Sequence, residues 1–502
     1  MRTSLRRVLI VALVSASIAC PLLPSLKAAT LTFVVTDTAQ ERCYGAEAES
    51  AYPAPGAAFY GQDAHYQGVQ PAFRKNGNGT ASDLNTGLMW IQEPGAKKTY
   101  AEAVAGAAAC HVGGHRDWRL PTVKELYSLM DFRGTDPDPM SRETGSQRPF
   151  LDTAVFSFQY GQEESGDRII DSQFATSTLY VSTTMGGNKT MFGVNFADGR
   201  IKGYPAGEMP GRSPKKYYVL YVRGNPAYGK NRFSDNGDGT VIDQATGLTW
   251  QKADSGKGMN WKDALAYAEG LVLAGHSDWR LPDAKELQSI VDYSRAPDTT
   301  RSAAIDPLFG CTPTTNEAGL KDFACYWTGT THAGAGGRGE KAAYVAFGRA
   351  MGYMRGRWLD VHGAGSQRSD PKEGDPADYP QGRGPQGDAI RILNFVRCVR
   401  GGAVTTRVSG PAVQTPAVQT RQRGRPGGSP HGNEGPDERG GPGGRGRPSF
   451  VRRLDRDGDG KVSQQEFDGP AEHFPHLDKN HDGYLADDEA PSPPSGGRSL
   501  RQ

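Results

Sequence analysis

Between about residues 73 and 401 the chain states one pattern twice, and this duplication limits the folds open to it more than any other feature. Asn76-Gly77-Asn78-Gly79-Thr80 returns as Asn236-Gly237-Asp238-Gly239-Thr240, and Thr86-Gly87-Leu88-Met89-Trp90 as Thr246-Gly247-Leu248-Thr249-Trp250. The longest block, Gly114-His115-Arg116-Asp117-Trp118-Arg119-Leu120-Pro121-Thr122-Val123-Lys124-Glu125-Leu126, returns as Gly275-His276-Ser277-Asp278-Trp279-Arg280-Leu281-Pro282-Asp283-Ala284-Lys285-Glu286-Leu287. The offset is 160 residues for the first two blocks and 161 for the third. An offset this constant means two copies of one fold.

Each block has a local physical reading. Asn-Gly-x-Gly-Thr is a hairpin turn in which Gly accommodates positive φ. Asp235, Asp238 and Asp243 also permit a calcium site, but the first copy has Lys75, Asn78 and Asp83 there and lacks most of the charge. Thr122 with Glu125, and Asp283 with Glu286, form capping boxes that open a helix. Leu126, Leu129 and Met130, matched by Leu287, Ile290 and Val291, make one apolar helical face. Trp118 and Trp279 fit a core role better than a sugar-binding platform, and His115 and His276 read as turn residues. Earlier helices are expected at 100–109 and 261–273. Alternating strands are expected at 190–195, 216–222, 343–347 and 393–399. Helices followed by strands argue for an α+β class and against a parallel βαβ sheet.

The ends carry different signals. Arg2, Arg6 and Arg7, the apolar run 8–19 and the small residues after it read as an export signal over residues 1–28. Ser17-Ile18-Ala19-Cys20 is an imperfect lipobox, and cleavage near Ala28 is the alternative. Residues 29–72 form an N-terminal extension. The repeats are expected at 73–224 and 232–402. With 66 Gly and 34 Pro overall, the Gly/Pro/Arg-rich stretch 403–448 reads as a disordered linker, and 491–502 as a disordered tail. A net charge of +2 gives no reason to expect specific nucleic-acid binding.

Two twelve-residue patterns lie in 449–490. One runs Asp455-Arg-Asp457-Gly-Asp459-Gly460-Lys461-Val-Ser463-Gln-Gln-Glu466, the other Asp478-Lys-Asn480-His-Asp482-Gly483-Tyr484-Leu-Ala486-Asp-Asp-Glu489. Ca²⁺ needs six to eight oxygens, which such a loop supplies from alternate positions, a mid-loop carbonyl and a terminal bidentate Glu. These loops resemble EF-hands, so Ca²⁺ is the expected cofactor and an all-α pair the expected fold. The competing account is an acidic solvated tail. Pro475 and Pro491 leave little helix around the loops, which favours a stabilising pair with affinity on the order of 10⁻⁴ M.

The Gly-His-x-Asp-Trp-Arg-Leu-Pro-x-x-Lys-Glu-Leu string, the Thr-Gly-Leu-x-Trp block, Tyr326-Trp327-Thr328 and the closing Val396-Arg397-Cys398-Val399-Arg400 resemble the Lcl C-terminal domain family, named for a bacterial collagen-like adhesin. The resemblance implies two tandem C-type-lectin-like domains, related to the formylglycine-generating enzyme fold, and adhesion to sulfated glycans. It also implies that a helix cysteine pairs with the cysteine of the closing strand. Cys110 and Cys398 occupy those places in different copies, so a bridge between copies and pairing with Cys43 both stay open. Cys311 and Cys325 flank a loop that a disulfide can close in an oxidising compartment. A formylglycine-generating oxidase needs two neighbouring reactive cysteines, and this single local pair has a structural explanation. No Ser/His/Asp or His-Glu-x-x-His arrangement appears, so an enzyme is not expected.

Arg338, Lys341, Arg349, Tyr353, Arg355, Arg357 and Trp358 form a basic-aromatic cluster suited to a sulfated or acidic glycan, since Arg forks pair with sulfate and carboxylate oxygens. A solvated basic loop explains the same residues. The expectation is an exported calcium-binding protein of the periplasm, cell envelope or extracellular space, adhesin-like and glycan-binding. The alternative is an envelope scaffold that binds other proteins. Contact with the membrane is expected only through a lipid anchor.

Overall fold

The computed structural model describes residues 31–139, 141–162, 166–208, 211, 213–411, 413, 461–463, 477–478 and 483–485. The export signal with Cys20, linker residues 414–448 and the tail 491–502 lie outside the described residues. The chain divides into two units, Met1–Val418 and Gln419–Gln502.

The repeated blocks build the same small sheet twice. In the first copy Phe73–Lys75, Thr80–Asp83, Leu88–Ile91 and Val222–Gly224 pair side by side; in the second, Phe233–Asp235, Thr240–Asp243, Leu248–Gln251 and Val399–Gly401 do so. The turn reading holds. Asn76 and Asn236 donate to Thr80 and Thr240 at 2.9 and 2.8 Å. Asp238 and Asp243 are taken up by donors of the protein itself, and Asp235 pairs with Lys252.

The Asp-Trp-Arg-Leu-Pro block is a joint between this sheet and a helix. Asp117 pairs with Arg223 and Asp278 with Arg400 on the closing strands. The indoles of Trp118 and Trp279 are buried and donate to Val112 and Leu273 carbonyls at 3.1 and 3.2 Å, so both are core residues. Arg119 and Arg280 reach forward to Glu125 and Glu286, the acids of the two capping boxes.

A single antiparallel sheet of seven strands spans both copies. Cys325–Thr331, Lys341–Ala346 and Gln367–Pro371 come from the second copy, and Arg200–Pro205, Asn188–Asn195, Leu179–Thr184 and Gln173–Phe174 from the first. The seam is Arg200–Pro205 against Gln367–Pro371, where Ile201 faces Gln367. Leu126 and Met130 share one hydrophobic core with Leu287, Ile290 and Val291.

The copies also exchange a contact. Lys124 Nζ donates to Ser289 O of the second copy at 2.7 Å, and Lys285 Nζ donates to Ser128 O of the first at 3.0 Å. Ser128 and Ser289 cap the last turns of the two helices, so each repeat's lysine satisfies carbonyls at the end of the other's helix.

The expected class of α+β tandem C-type-lectin-like domains with an all-α tail is corrected. The chain is mostly short antiparallel strands. In the described part of the first unit the α-helices α1 (Tyr100–Gly106), α2 (Val123–Tyr127), α3 (Trp261–Glu269) and α4 (Ala284–Ser289) have 7, 5, 9 and 6 residues. Glycine marks both early ends: α3 stops at Gly270, short of residue 273, and α1 stops at Gly106, where a Cβ would meet the Tyr221 hydroxyl at 2.3 Å. Of the expected strand 393–399, only Val399–Gly401 forms a ladder with its own sheet; Phe395 instead bonds Cys325 and Trp327. In the C-terminal unit Val462–Ser463 pairs with Tyr484–Leu485 as antiparallel strands. The expected linker also begins late, because Thr405–Thr406 pairs with Tyr66–Gln67.

Candidate functional site

The seven residues of the basic-aromatic cluster separate into two places and one structural anchor. Arg349 is the anchor: it holds Asp298 at 2.5 Å, lies 3.4 Å from Asp322 and donates to Lys321 O at 3.0 Å. Tyr353, Arg355, Arg357 and Trp358 sit on the hairpin Met351–Met354/Arg357–Asp360. Its two-residue turn, Arg355 and Gly356, has φ of 54° and 75°, as a tight hairpin with right-handed twist requires. Tyr353 and Trp358 meet across it at 5.4 Å between ring centres. Arg355 and Arg357 are exposed at the tip.

Arg338 and Lys341 line a cleft of about 300 Å³ beside the seam of the seven-stranded sheet. Arg168, Arg200 and Lys202 reach it from the first copy, and Arg368 and Arg383 from the second. Asp136, Asp138, Asp198, Asp370 and Asp388 also line it, which leaves seven basic side chains against five acidic ones. Arg383 belongs to a loop whose Gly387 carbonyl accepts from Tyr353 N, so the hairpin rests on the cleft wall.

The acids are largely committed. Arg200 grips both oxygens of Asp136 at 2.8 Å and donates to Ser369 Oγ at 2.7 Å. Burial alone raises the Asp136 carboxyl, but Arg200, with His332 and Lys341, holds it well below the usual carboxylate range. Asp388 is likewise desolvated, and is held low by Arg368 at 2.5 Å and His362 at 3.0 Å. Burial and the Arg368 charge push His362 down to about 4, so it is neutral near pH 7. Burial raises Asp370, whose Oδ2 accepts from Arg391 N at 2.8 Å. The buried Arg368 has no hydrogen-bond partner for Nε and Nη1 among the described residues, and both atoms are closed to solvent. Arg383 is exposed and stacks on Tyr379 at 4.9 Å. The cleft therefore offers guanidinium donors to an anion. Asp136, Arg200, Arg368 and Arg383 escaped sequence reasoning because they come from both copies. The one available signal was the charge-dense strand Gln367–Pro371.

The expected disulfides do not form among the described residues. Cys43, Cys110, Cys311, Cys325 and Cys398 are all free thiols. Neighbouring side chains on a strand point to opposite faces, and Tyr326, not Cys325, turns toward Cys311, its hydroxyl 3.0 Å from Sγ. Cys325 instead joins Cys398 in the core beneath α3. Cys110 packs against the other, shared core, away from Cys398. Burial pushes the Cys325 thiol up to about 12, far from a reactive thiolate.

Of the calcium-loop residues, Lys461, Ser463, Asp478 and Tyr484 are described; Asp455, Asp457, Asp459, Glu466, Asn480, Asp482, Ala486 and Glu489 lie outside the described residues. The eighth positions of the two loops, Val462 and Leu485, are buried and face each other. Asp478 Oδ2 accepts from Gly483 N at 2.9 Å, and Gly483 has φ 83°. Among the described residues no three His, Cys, Asp or Glu side chains form a metal-holding group.

Fold and cleft together define a fused tandem-repeat protein of antiparallel sheets with a charged cleft at the seam. The chain belongs to the Lcl C-terminal domain family, whose model matches residues 79–223 and 239–360, more than half of its length. This family is one of adhesin-like and envelope proteins, associated with the cell surface or secretion. No curated protein and no solved structure matches the chain. Among the described residues no helix is long and apolar enough to cross a membrane.

Proposed function

We propose that this is an exported cell-envelope protein that binds an acidic glycan in the cleft between its repeats and takes up Ca²⁺ through its C-terminal loops. One observation carries the glycan reading: seven Lys and Arg side chains from both copies converge on one cleft, with Arg338 and Arg383 exposed among them. A planar guanidinium pairs with sulfate or carboxylate through two parallel hydrogen bonds, which fits a charged saccharide better than a neutral one. The calcium reading draws on the loop sequences and on the tight turn in which Asp478 accepts from Gly483. Side chains of Asp455, Asp457, Asp459, Ser463 and Glu466 would hold one ion with the Lys461 carbonyl. Asp478, Asn480, Asp482, Glu489 and the Tyr484 carbonyl would hold the second, the position of Ala486 being filled by water.

The test is calorimetric titration of the full chain with a sulfated hexasaccharide and its unsulfated counterpart. Only the sulfated sugar is expected to bind, and the exposed-rim variants Arg338→Glu and Arg383→Glu weaken it by about tenfold each. Arg355→Glu and Arg357→Glu at the hairpin tip leave it within about twofold. Loss in the tip variants with retention in the rim variants would overturn the cleft assignment. A Glu466→Ala, Glu489→Ala double variant that binds Ca²⁺ as tightly as the parent would overturn the calcium reading.

A further inference from the structure

The repeats carry equivalent pockets at their helix joints, and the chain fills one of them itself. Two hydrogen bonds establish the equivalence. Ser177 N donates to Pro121 O at 2.7 Å as Gly329 N does to Pro282 O at 2.8 Å. Val123 N donates to Thr178 Oγ1 at 2.9 Å as Ala284 N does to Thr330 Oγ1 at 3.0 Å.

On the second copy this pocket is occupied by residues 62–66 of the N-terminal extension. Asp63 lies against Gly329, whose absent Cβ would sit 3.1 Å from the Asp63 nitrogen. The buried Asp63 carboxylate accepts from Thr330 Oγ1 at 2.5 Å. Tyr66 then spreads its ring beneath the Arg280 guanidinium at 5.5 Å and donates its hydroxyl to Glu269. The Arg280–Glu286 pair is sealed in consequence, its side chains 5% and 4% exposed.

On the first copy the equivalent place is open. It is a cavity of about 630 Å³, with Thr178 and Arg119 in its wall. Nothing among the described residues accepts from the Thr178 hydroxyl, and Arg119 is 34% exposed beside its Glu125. Lys124 and the exposed Lys230 line it together with Glu125, Asp292 and Asp306, and Pro226 is exposed beside them.

We propose that this cavity binds an acidic, aromatic peptide segment of another protein in the manner in which residues 62–66 occupy the second copy. A carboxylate would accept from Thr178, and an aromatic ring a few residues later would stack on Arg119. A neutral apolar ligand gains neither contact. The chemistry is separate from that of the charged cleft.

The probe is a synthetic peptide with the sequence of residues 59–69, bearing a benzophenone at its C-terminus, added to the full chain. Photo-crosslinks are expected within 119–125 and 226–231. An Asp63→Ala peptide, which lacks the acceptor for Thr178, binds about tenfold more weakly, and Pro226→Trp and Lys230→Glu proteins with unchanged melting curves lose the crosslink. Crosslinks confined to 280–286, equal binding of the Ala peptide, or no crosslink at all would each overturn the proposal.

Discussion

The joints of the two repeats share a sequence block and a hydrogen-bond scheme, yet they live in different surroundings. Arg119–Glu125 opens on a cavity, and Arg280–Glu286 lies under Tyr66. Lys124 is half-buried and Lys285 buried, although each makes the same reach to the other copy's helix. Local sequence sets the contacts; what the extension covers sets their energetic weight. A charge pair removed from water is costly to break because the survivor is left buried and alone.

This contrast can be broken in three ways. Arg280→Gln, which strands a buried Glu286, should destabilise by about 3 kcal/mol in chemical denaturation; Arg119→Gln also strands a buried Glu125, but water reaching the 34% exposed Arg119 position offsets part of the loss and leaves about 1 kcal/mol. Equal losses would mean that the extension does not seal the second joint. The next effect is a pH dependence at the covered joint. Desolvation, helped by the Asp37 carboxylate and opposed by hydrogen bonds from Thr330 and Thr38, raises Asp63 to about 7. A raised acid binds its proton more tightly in the folded chain. Its stabilising contribution is therefore complete below about pH 4 and is lost as pH rises through 7, by about 2 kcal/mol between pH 5 and 7. Asp63→Asn should flatten this slope, and a slope unchanged in the variant would place its origin elsewhere. The smallest effect separates the lysines. Lys285→Met should cost about 2 kcal/mol and Lys124→Met about 1 kcal/mol, since each lysine holds two backbone carbonyls and water reaches those of the half-buried Lys124 more readily. Denaturant midpoints that reverse this order would remove burial as the explanation.

What was legible in the sequence is what closes locally. The capping boxes join residues three apart, Asn76 and Asn236 reach four residues on, and Trp118 and Trp279 bond carbonyls six residues back. Repetition made these legible twice. The seven-stranded sheet was not legible, because Ile201 and Gln367 find each other only after both copies have folded. The apolar helical face was read correctly as core but too long as helix: α2 ends at Tyr127, and Leu129 and Met130 enter the core from the turn beyond. The basic-aromatic cluster was legible as composition but not as place. The Arg355-Gly356 reversal carries its aromatics onto a hairpin and leaves Arg338 and Lys341 to meet partners from the other copy.

The ladder between Tyr66–Gln67 and Thr405–Thr406 has a mechanical consequence. Thr406 lies opposite Tyr66 and Thr405 opposite Gln67, and Arg407 N donates to His65 O just outside them. A pull on the C-terminal tail therefore meets these bonds one after another, as a zip is opened, instead of loading them together in shear. Small forces are absorbed by peeling this short seam, and Val399–Gly401, which closes the second repeat's sheet, feels the load only afterwards.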